Sequence, residues 1–243
     1  MKNKIRIAID GPAGSGKSTI AREAALKLGY TYIDTGAMYR AITLKAKNCR
    51  VKVTDQMELT RLTEESKIEL LYEPVPEGTQ LRLILDGNDV SDAIRSPEIT
   101  ANVSAVAAVA GVRTALVRLQ QHLAIGGGVV MDGRDIGTVV LPDAELKIFL
   151  TASVEERARR RSSELSAKGL AVDPDEIKLQ IEKRDKYDSS REIDPLHQAA
   201  EAVLLDTTGL PISAVVDQVI ELAVRRGAEL PSRQVPAGVN NGD

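Results

Sequence analysis

The sequence predicts an α/β domain, with a parallel sheet flanked by helices and a small antiparallel unit inserted into it. Three observations carry that prediction. Short aliphatic runs that read as buried strands alternate with segments of helical periodicity. The first run ends in a glycine-rich loop that opens directly into a helix. Residues 51–95 break the alternation with strand-like runs separated by turn signals and no helices between them.

Taken in order, residues 5–9 form the first strand. The helix that starts near Lys17 places Ile20, Ala24, Ala25 and Leu28 on one face and stops at Gly29. Residues 30–33 read as a strand and residues 38–47 as a helix. In the inserted unit, Thr54-Asp55 caps a short helix through Leu62. Residues 67–72 and 80–85 read as strands around a Pro/Gly turn at residues 74–78, and Asp86-Gly87-Asn88 is a tight-turn signal. Ser96-Pro97 is an N-cap followed by proline at the first helical position, so helices fill residues 97–108 and about 112–125. Gly126-Gly127-Gly128 breaks the chain before strands at residues 129–131 and 146–150. Ser153 and Glu156 form a capping box that opens a long helix, and Asp173-Pro174 opens the next. The last strand is residues 202–205 and the last helix residues 212–226. Residues 1–226 thus form the core, with residues 51–95 as the inserted subdomain and about residues 155–185 as a helical lid. Residues 227–243, rich in Pro, Gly and Asn, read as a disordered tail.

Composition narrows the function. Of 243 residues, 43% are apolar, enough for a large core, but only 2% are aromatic, so that core is aliphatic. Lys and Arg number 32 against 35 Asp and Glu, a balance of −3 that argues against nucleic acid as the main partner. No apolar run approaches the roughly 20 residues of a membrane span, and the first residues lack a signal-peptide core. The single cysteine, Cys49, excludes a disulfide framework, and two histidines leave little for a zinc site. These features read as a cytoplasmic protein with no membrane partner.

Gly11-Pro12-Ala13-Gly14-Ser15-Gly16-Lys17-Ser18-Thr19 fits G-x-x-x-x-G-K-S/T between a strand and a helix. Glycines let backbone N–H groups turn inward onto phosphates, and the helix N-terminus adds partial positive charge. Lys17 then reaches the β/γ-phosphates of a nucleotide, and Ser18 can ligate Mg²⁺. No N-K-x-D element for a GTPase is present, and Asp206-Thr207-Thr208-Gly209 reads as strand-end turn chemistry.

Asp34-Thr35-Gly36-Ala37-Met38-Tyr39-Arg40 closes the second strand, at the sheet edge where parallel sheets bind ligands. Thr35 offers a hydroxyl there and Arg40 a fork for a phosphate; an ordinary N-cap with a solvated arginine has the same signature. Asp132, at the end of residues 129–131, can hold Mg²⁺ through water or polarise the attacking group. Arg134 and Asp135 project over the same edge; a surface turn with a local ion pair is the plainer alternative. Arg157, Arg160 and Arg161 share one helix face, either solvated beside Glu156 and Glu164 or set as a lid against a transferring phosphoryl group. Ile177, Ile181, Arg184, Asp188 and Arg191 fall in one helical stripe that starts apolar. Its polar end should then face a cleft suited to an anionic ligand, unless the helix twists out to solvent there.

These motifs, with Asp132-Gly133-Arg134-Asp135-Ile136-Gly137-Thr138-Val139-Val140-Leu141-Pro142-Asp143-Ala144 and Lys147-Ile148-Phe149-Leu150, resemble the bacterial cytidylate kinases over residues 4–226. The resemblance implies a P-loop kinase fold with an inserted antiparallel sheet in the monophosphate-binding region and a moving lid. It implies transfer of the γ-phosphoryl group of ATP to CMP or dCMP with Mg²⁺, by a monomer. It further implies that Thr35, Arg134 and Asp135 lie at the base and phosphate, and Tyr39, Arg40 and Arg113 at the monophosphate. It sets Ser104 at the pentose, with Arg184, Asp188 and Arg191 at pentose, phosphate and base. The rivals are a kinase for another small acceptor and a nucleotide-dependent switch that turns over no acceptor.

Overall fold

The computed structural model describes residues 4–75, 78–167, 169 and 171–231. Eight strands and eight α-helices are described. In chain order they are β1 (Arg6–Asp10), α1 (Lys17–Leu28), β2 (Thr31–Asp34), α2 (Thr35–Asn48), α3 (Gln56–Glu64), β3 (Ile68–Val75), β4 (Gly78–Leu85) and β5 (Asn88–Asp89). There follow α4 (Pro97–Ala107), α5 (Ala110–Leu123), β6 (Val129–Gly133), β7 (Leu146–Thr151), α6 (Val154–Ala167), α7 (Pro174–Ser190), β8 (Val203–Asp206) and α8 (Ile212–Arg225).

The main sheet has the order β2-β6-β1-β7-β8 and every described pairing in it is parallel. Alternation along β1 divides the core. Ile5, Ile7 and Ile9 pack with Val130, Ile148, α1 and α8, while Ala8 joins Ile33, Met131, Ile136 and Val140 in a separate cluster. A third cluster joins α2, α3, α4 and α5 to β4 through Met38, Ile42, Leu59, Val106 and Leu83. Tyr39 is the one buried aromatic among the described residues, so the core is aliphatic, as the composition requires.

The inserted residues form an antiparallel sheet in the order β3-β4-β5. Its pairing runs out to Val75 opposite Gly78, so Pro74 and Gly78 are strand residues rather than part of the expected turn. The expected tip, residues 76–77, lies outside the described residues. Between β4 and β5, Asp86 and Gly87 both take positive φ (49° and 83°), the twist-matched two-residue turn that the Asp-Gly signal predicts.

Several boundaries move for identifiable reasons. Helix α2 starts three residues earlier than expected because the Asp34 carboxylate accepts the Ala37 N–H at 2.9 Å and caps it there. The capping box at α6 is only half formed. Ser153 Oγ accepts the Glu156 N–H at 3.2 Å, but the Glu156 carboxylate turns to Arg159 and Arg160, and the Ser153 N–H donates instead to Thr208. A single π-helical turn at Ile136–Val140, which no periodicity announces, follows β6. Beyond α8, Gly227 takes φ 100° and the Ala228 N–H donates to Ala223 O, which returns Ala228 to the core. The rest of the tail, residues 232–243, lies outside the described residues. Among the described residues no single helix is long and apolar enough to cross a membrane.

Candidate active site

All the site's principal loops leave the carboxyl ends of the parallel strands. They line one open cleft of about 1870 Å³ that runs from the glycine loop past α4 to α7. That is well above the roughly 300–1,000 Å³ of a pocket for one drug-sized ligand, so the cleft has room for two nucleotides.

At one end, β1 passes into the glycine loop. Gly11 takes φ 147°, and a Cβ there would stand 2.0 Å from Leu150 O on the adjoining strand, so no other residue fits. Gly14 and Gly16 also take positive φ (75° and 90°), which lets the loop wrap toward the start of α1. Lys17 Nζ folds over the loop and donates to Pro12 O at 2.7 Å and Ser15 Oγ at 3.3 Å. Burial drives the Lys17 ammonium well below its ordinary pKa, and the Arg134 guanidinium adds to the shift.

Ser18 Oγ donates to one oxygen of Asp132 at 2.9 Å, and the Tyr32 hydroxyl donates to the other at 2.9 Å. Burial pushes the Asp132 carboxyl up to about 6, with the neighbouring Asp34 adding to the rise. A hydroxyl and a carboxylate side by side are the hard oxygen donors Mg²⁺ takes when phosphates and water complete its shell. Thr35 Oγ1 donates to the Asp132 carbonyl at 2.7 Å, tying the start of α2 to β6.

At the other end, Arg134, Arg184 and Ser104 surround Asp188. Arg134 Nε donates to it at 2.8 Å, Ser104 Oγ donates at 3.3 Å, and Arg184 Nε stands 3.9 Å away. Burial pushes the Asp188 carboxyl up, but Arg134 and Arg184 outweigh that and hold it below the ordinary range. Arg184 drops to about 10 through burial and the like charge of Arg134. Asp135 pairs with Arg113 and, at 3.5 Å, with Arg191. Arg113 is 2% exposed, also donates to Asp194, and lies 5.7 Å from the Tyr39 ring centroid. The buried Tyr39 hydroxyl has no hydrogen-bond partner among the described residues, and Arg40 lines the cleft beside it. The stripe is realised on α7 for four of its five residues: Ile177 and Ile181 pack against α6, and Arg184 and Asp188 line the cleft. Arg191, expected on the same helix, is its C-cap with extended backbone (φ −64°, ψ 145°) and meets the cleft from just past the helix end.

The arginines of α6 divide. Arg161 lines the cleft and donates to Glu164. Arg160 lines it too and donates to Glu156, to Thr207 and, at 3.4 Å, to Ser15 O. Arg157 does not face the cleft, contrary to the expectation of a lid arginine beside the transferring phosphoryl group. Its guanidinium is buried behind the glycine loop, donating to Ala13 O, Ala152 O and Asp185. A shared helix face fixed its neighbours in sequence, but with Ala158 packed against Ile177 and Ile181 of α7, Arg157 turns onto the back of the loop while Arg160 and Arg161, a turn further on, line the cleft.

A model of the cytidylate kinase family matches residues 7–225. The chain belongs to the cytidylate kinase family. A cytidylate kinase of Desulfitobacterium hafniense is 51% identical over 91% of this chain and 94% of its own. One of Geobacillus kaustophilus is 52% identical over 93% and 99%. A bifunctional pantoate ligase/cytidylate kinase of Synechococcus elongatus is 49% identical over 96% of this chain and 44% of its own length. A crystal structure of an uncharacterized protein from Eubacterium ventriosum covers 91% of this chain and 99% of its own at 12% identity and a TM-score of 0.52, a likeness of fold alone.

In this member of the cytidylate kinase family, sequence reasoning missed several groups in the cleft or buried behind it. Asp10 and Asp34 carry the same signal that singled out Asp132, an acid at the end of a parallel strand. Tyr32, one of four β2 residues, gave no signal of its own. Thr207, Leu210 and Ile212 also line the cleft; Thr207 belongs to a segment read only as a turn, Leu210 was assigned to no element, and Ile212 was read only as the start of the last helix. That turn is real: Asp206 Oδ1 accepts the Thr208 N–H at 2.9 Å, and Gly209 takes φ 70°.

Asp10 accepts the N–H groups of Ile136 and Gly137 at 2.8 and 2.7 Å and so anchors the π-helical turn to the end of β1. Burial nevertheless raises its carboxyl to about 6. The folded state then binds more protons than the unfolded chain between the ordinary aspartate value and 6, so this group's contribution to stability falls as pH rises through that window. Asp10→Asn is expected to flatten the pH dependence of Tm between about pH 4 and 6; identical Tm profiles for both proteins would contradict this.

Proposed function

We propose that the protein transfers the γ-phosphoryl group of ATP to CMP or dCMP, giving ADP and CDP or dCDP, with Mg²⁺ bound at Ser18 and Asp132. The observation that carries this reading is the single cleft. It joins a phosphate-binding loop to a face bearing Arg40, Arg134, Arg184, Asp188 and Arg191 in a chain of the cytidylate kinase family. A switch that turns over no acceptor has no use for that second face.

The chain's contribution is positioning and charge neutralisation. Loop N–H groups from Gly14 to Thr19 cradle the ATP phosphates, and Lys17 reaches the β- and γ-oxygens. Phosphate charge beside Lys17 restores the ammonium form that burial opposes. Bound Mg²⁺ supplies charge neutralisation at the phosphates. Arg160 and Arg161 close over the donor from α6. At the acceptor, Arg40, Arg113, Arg134 and Arg191 offset the monophosphate charge, with Tyr39 supplying a hydroxyl beside them. Thr35, Arg134 and Asp135 read the base, and Ser104, Arg184 and Asp188 hold the pentose. An acceptor phosphate oxygen then attacks the γ-phosphorus in line with the departing ADP. No side-chain nucleophile is required, and closure of residues 155–185 excludes water from the reacting phosphates. The protein acts as a monomer in the cytoplasm on this reading.

With γ-labelled ATP and CMP, the label is expected in the terminal phosphate of CDP, with no labelled protein. Label appearing only as inorganic phosphate would contradict the proposal. Asp135→Ala is expected to erode the preference for CMP over UMP; an unchanged ratio of kcat/KM values removes Asp135 from base reading.

A further inference from the structure

The arginine that fails to face the cleft makes the tightest connection to the glycine loop. Asp185, on α7, accepts the Ala13 N–H through one carboxylate oxygen at 3.1 Å and pairs with Arg157 through the other. Arg157, on α6, donates to the Ala13 carbonyl at 2.9 Å and to Ala152 O at 3.0 Å. Both backbone polar groups of Ala13 are therefore held by an ion pair whose members come from two different helices. The pair closes a ring: Ala13 N–H, Asp185, Arg157, Ala13 C=O. Only 6% of the Arg157 side chain and 19% of Asp185 are exposed, so these bonds are little diluted by water. The fit continues into the next residue, where a Cβ on Gly14 would stand 3.2 Å from Arg157 Cβ.

Asp185 directly follows Arg184 and precedes Asp188 by three residues on α7. One helix face therefore meets the acceptor end of the cleft while the adjacent row holds the loop that meets the donor. We propose that Arg157 and Asp185 are positioning residues that fix the phosphate loop from behind through Ala13, making α7 a common support for donor loop and acceptor stripe. The inference rests on reading Gly11–Thr19 as the ATP site. Neither residue touches a substrate. Their work is to hold the loop's N–H groups in the orientation that phosphates require, so their loss falls on the donor side.

The test uses the full chain and two conservative variants, Asp185→Asn and Arg157→Lys. Asn keeps an acceptor for the Ala13 N–H but loses the charge that holds Arg157. Lys keeps the charge but not the forked donation to two carbonyls. Calorimetric titration with Mg·ADP and separately with CMP gives the readout. Each variant that retains a cooperative thermal transition is expected to bind Mg·ADP about tenfold or more weakly, roughly the loss of one charge-assisted hydrogen bond, and CMP within about twofold of the wild type. Steady-state KM for ATP rises in parallel while KM for CMP holds. Wild-type affinity for Mg·ADP in both variants overturns the inference, as does equal weakening of both ligands, which marks a general structural role. A wild-type protein that binds no Mg·ADP instead removes the ATP-site reading itself.

Discussion

Lys17→Ala is expected to lower kcat by about a thousandfold or more while leaving the fold intact. Removing one preorganised donor from a site of developing charge typically costs ~10²–10³ in rate, and Lys17 brings a full charge to the phosphates that move. The folded protein asks little of this side chain. Its partners are one carbonyl and one hydroxyl of the loop itself, and its burial disfavours the charged form. Loss of the ammonium therefore removes a desolvated charge as well as two hydrogen bonds, and Tm is expected to stay within a few degrees of the wild type. Near-normal kcat in a folded variant removes Lys17 from phosphoryl transfer.

Asp188→Ala is expected to damage both stability and the acceptor site. The carboxylate stands between Arg134 and Arg184 and accepts from Ser104. Without it, two guanidinium groups that already oppose each other are left without their carboxylate, a change that costs about 3–5 kcal/mol for a buried pair. In a chain of this length that corresponds to a fall in Tm on the order of 10 °C. KM for CMP is expected to rise about a hundredfold, with a much smaller change in KM for ATP. Asp188→Asn, which keeps an acceptor of the same shape, is expected to recover most of the stability and less of the CMP affinity. A variant with unchanged Tm and unchanged KM for CMP would place Asp188 outside both roles.

Much of this site was readable before any coordinates. The glycine loop, the two strand-end motifs and the α7 stripe rest on local rules, and local rules survive folding. The stripe at Ile177, Ile181, Arg184 and Asp188 needed only the helical repeat, because its apolar start fixed which way it faces; the repeat did not show that the helix stops one residue short of Arg191. The arginines of α6 lacked such an anchor. Their spacing made them neighbours, but only the packing of Ala158 against Ile177 and Ile181 turned Arg157 onto Ala13. The sheet order was unreadable for a similar reason: β1 pairs with β6, which lies more than a hundred residues further along the chain. The π-helical turn at Ile136–Val140 is held by Asp10 across 126 residues of sequence, a tie that leaves no periodic trace. Asp194, the second partner of Arg113, sits at φ 48° in an irregular loop and had no signal at all.

The most direct measurement is ADP release from Mg·ATP by the intact chain with CMP, dCMP, UMP, AMP, GMP or no acceptor. The cleft described above predicts strong stimulation by CMP and dCMP, weak turnover with the others, and little hydrolysis with none. A rate that is the same across the panel, or highest without any acceptor, would contradict phosphoryl transfer to a cytidine monophosphate.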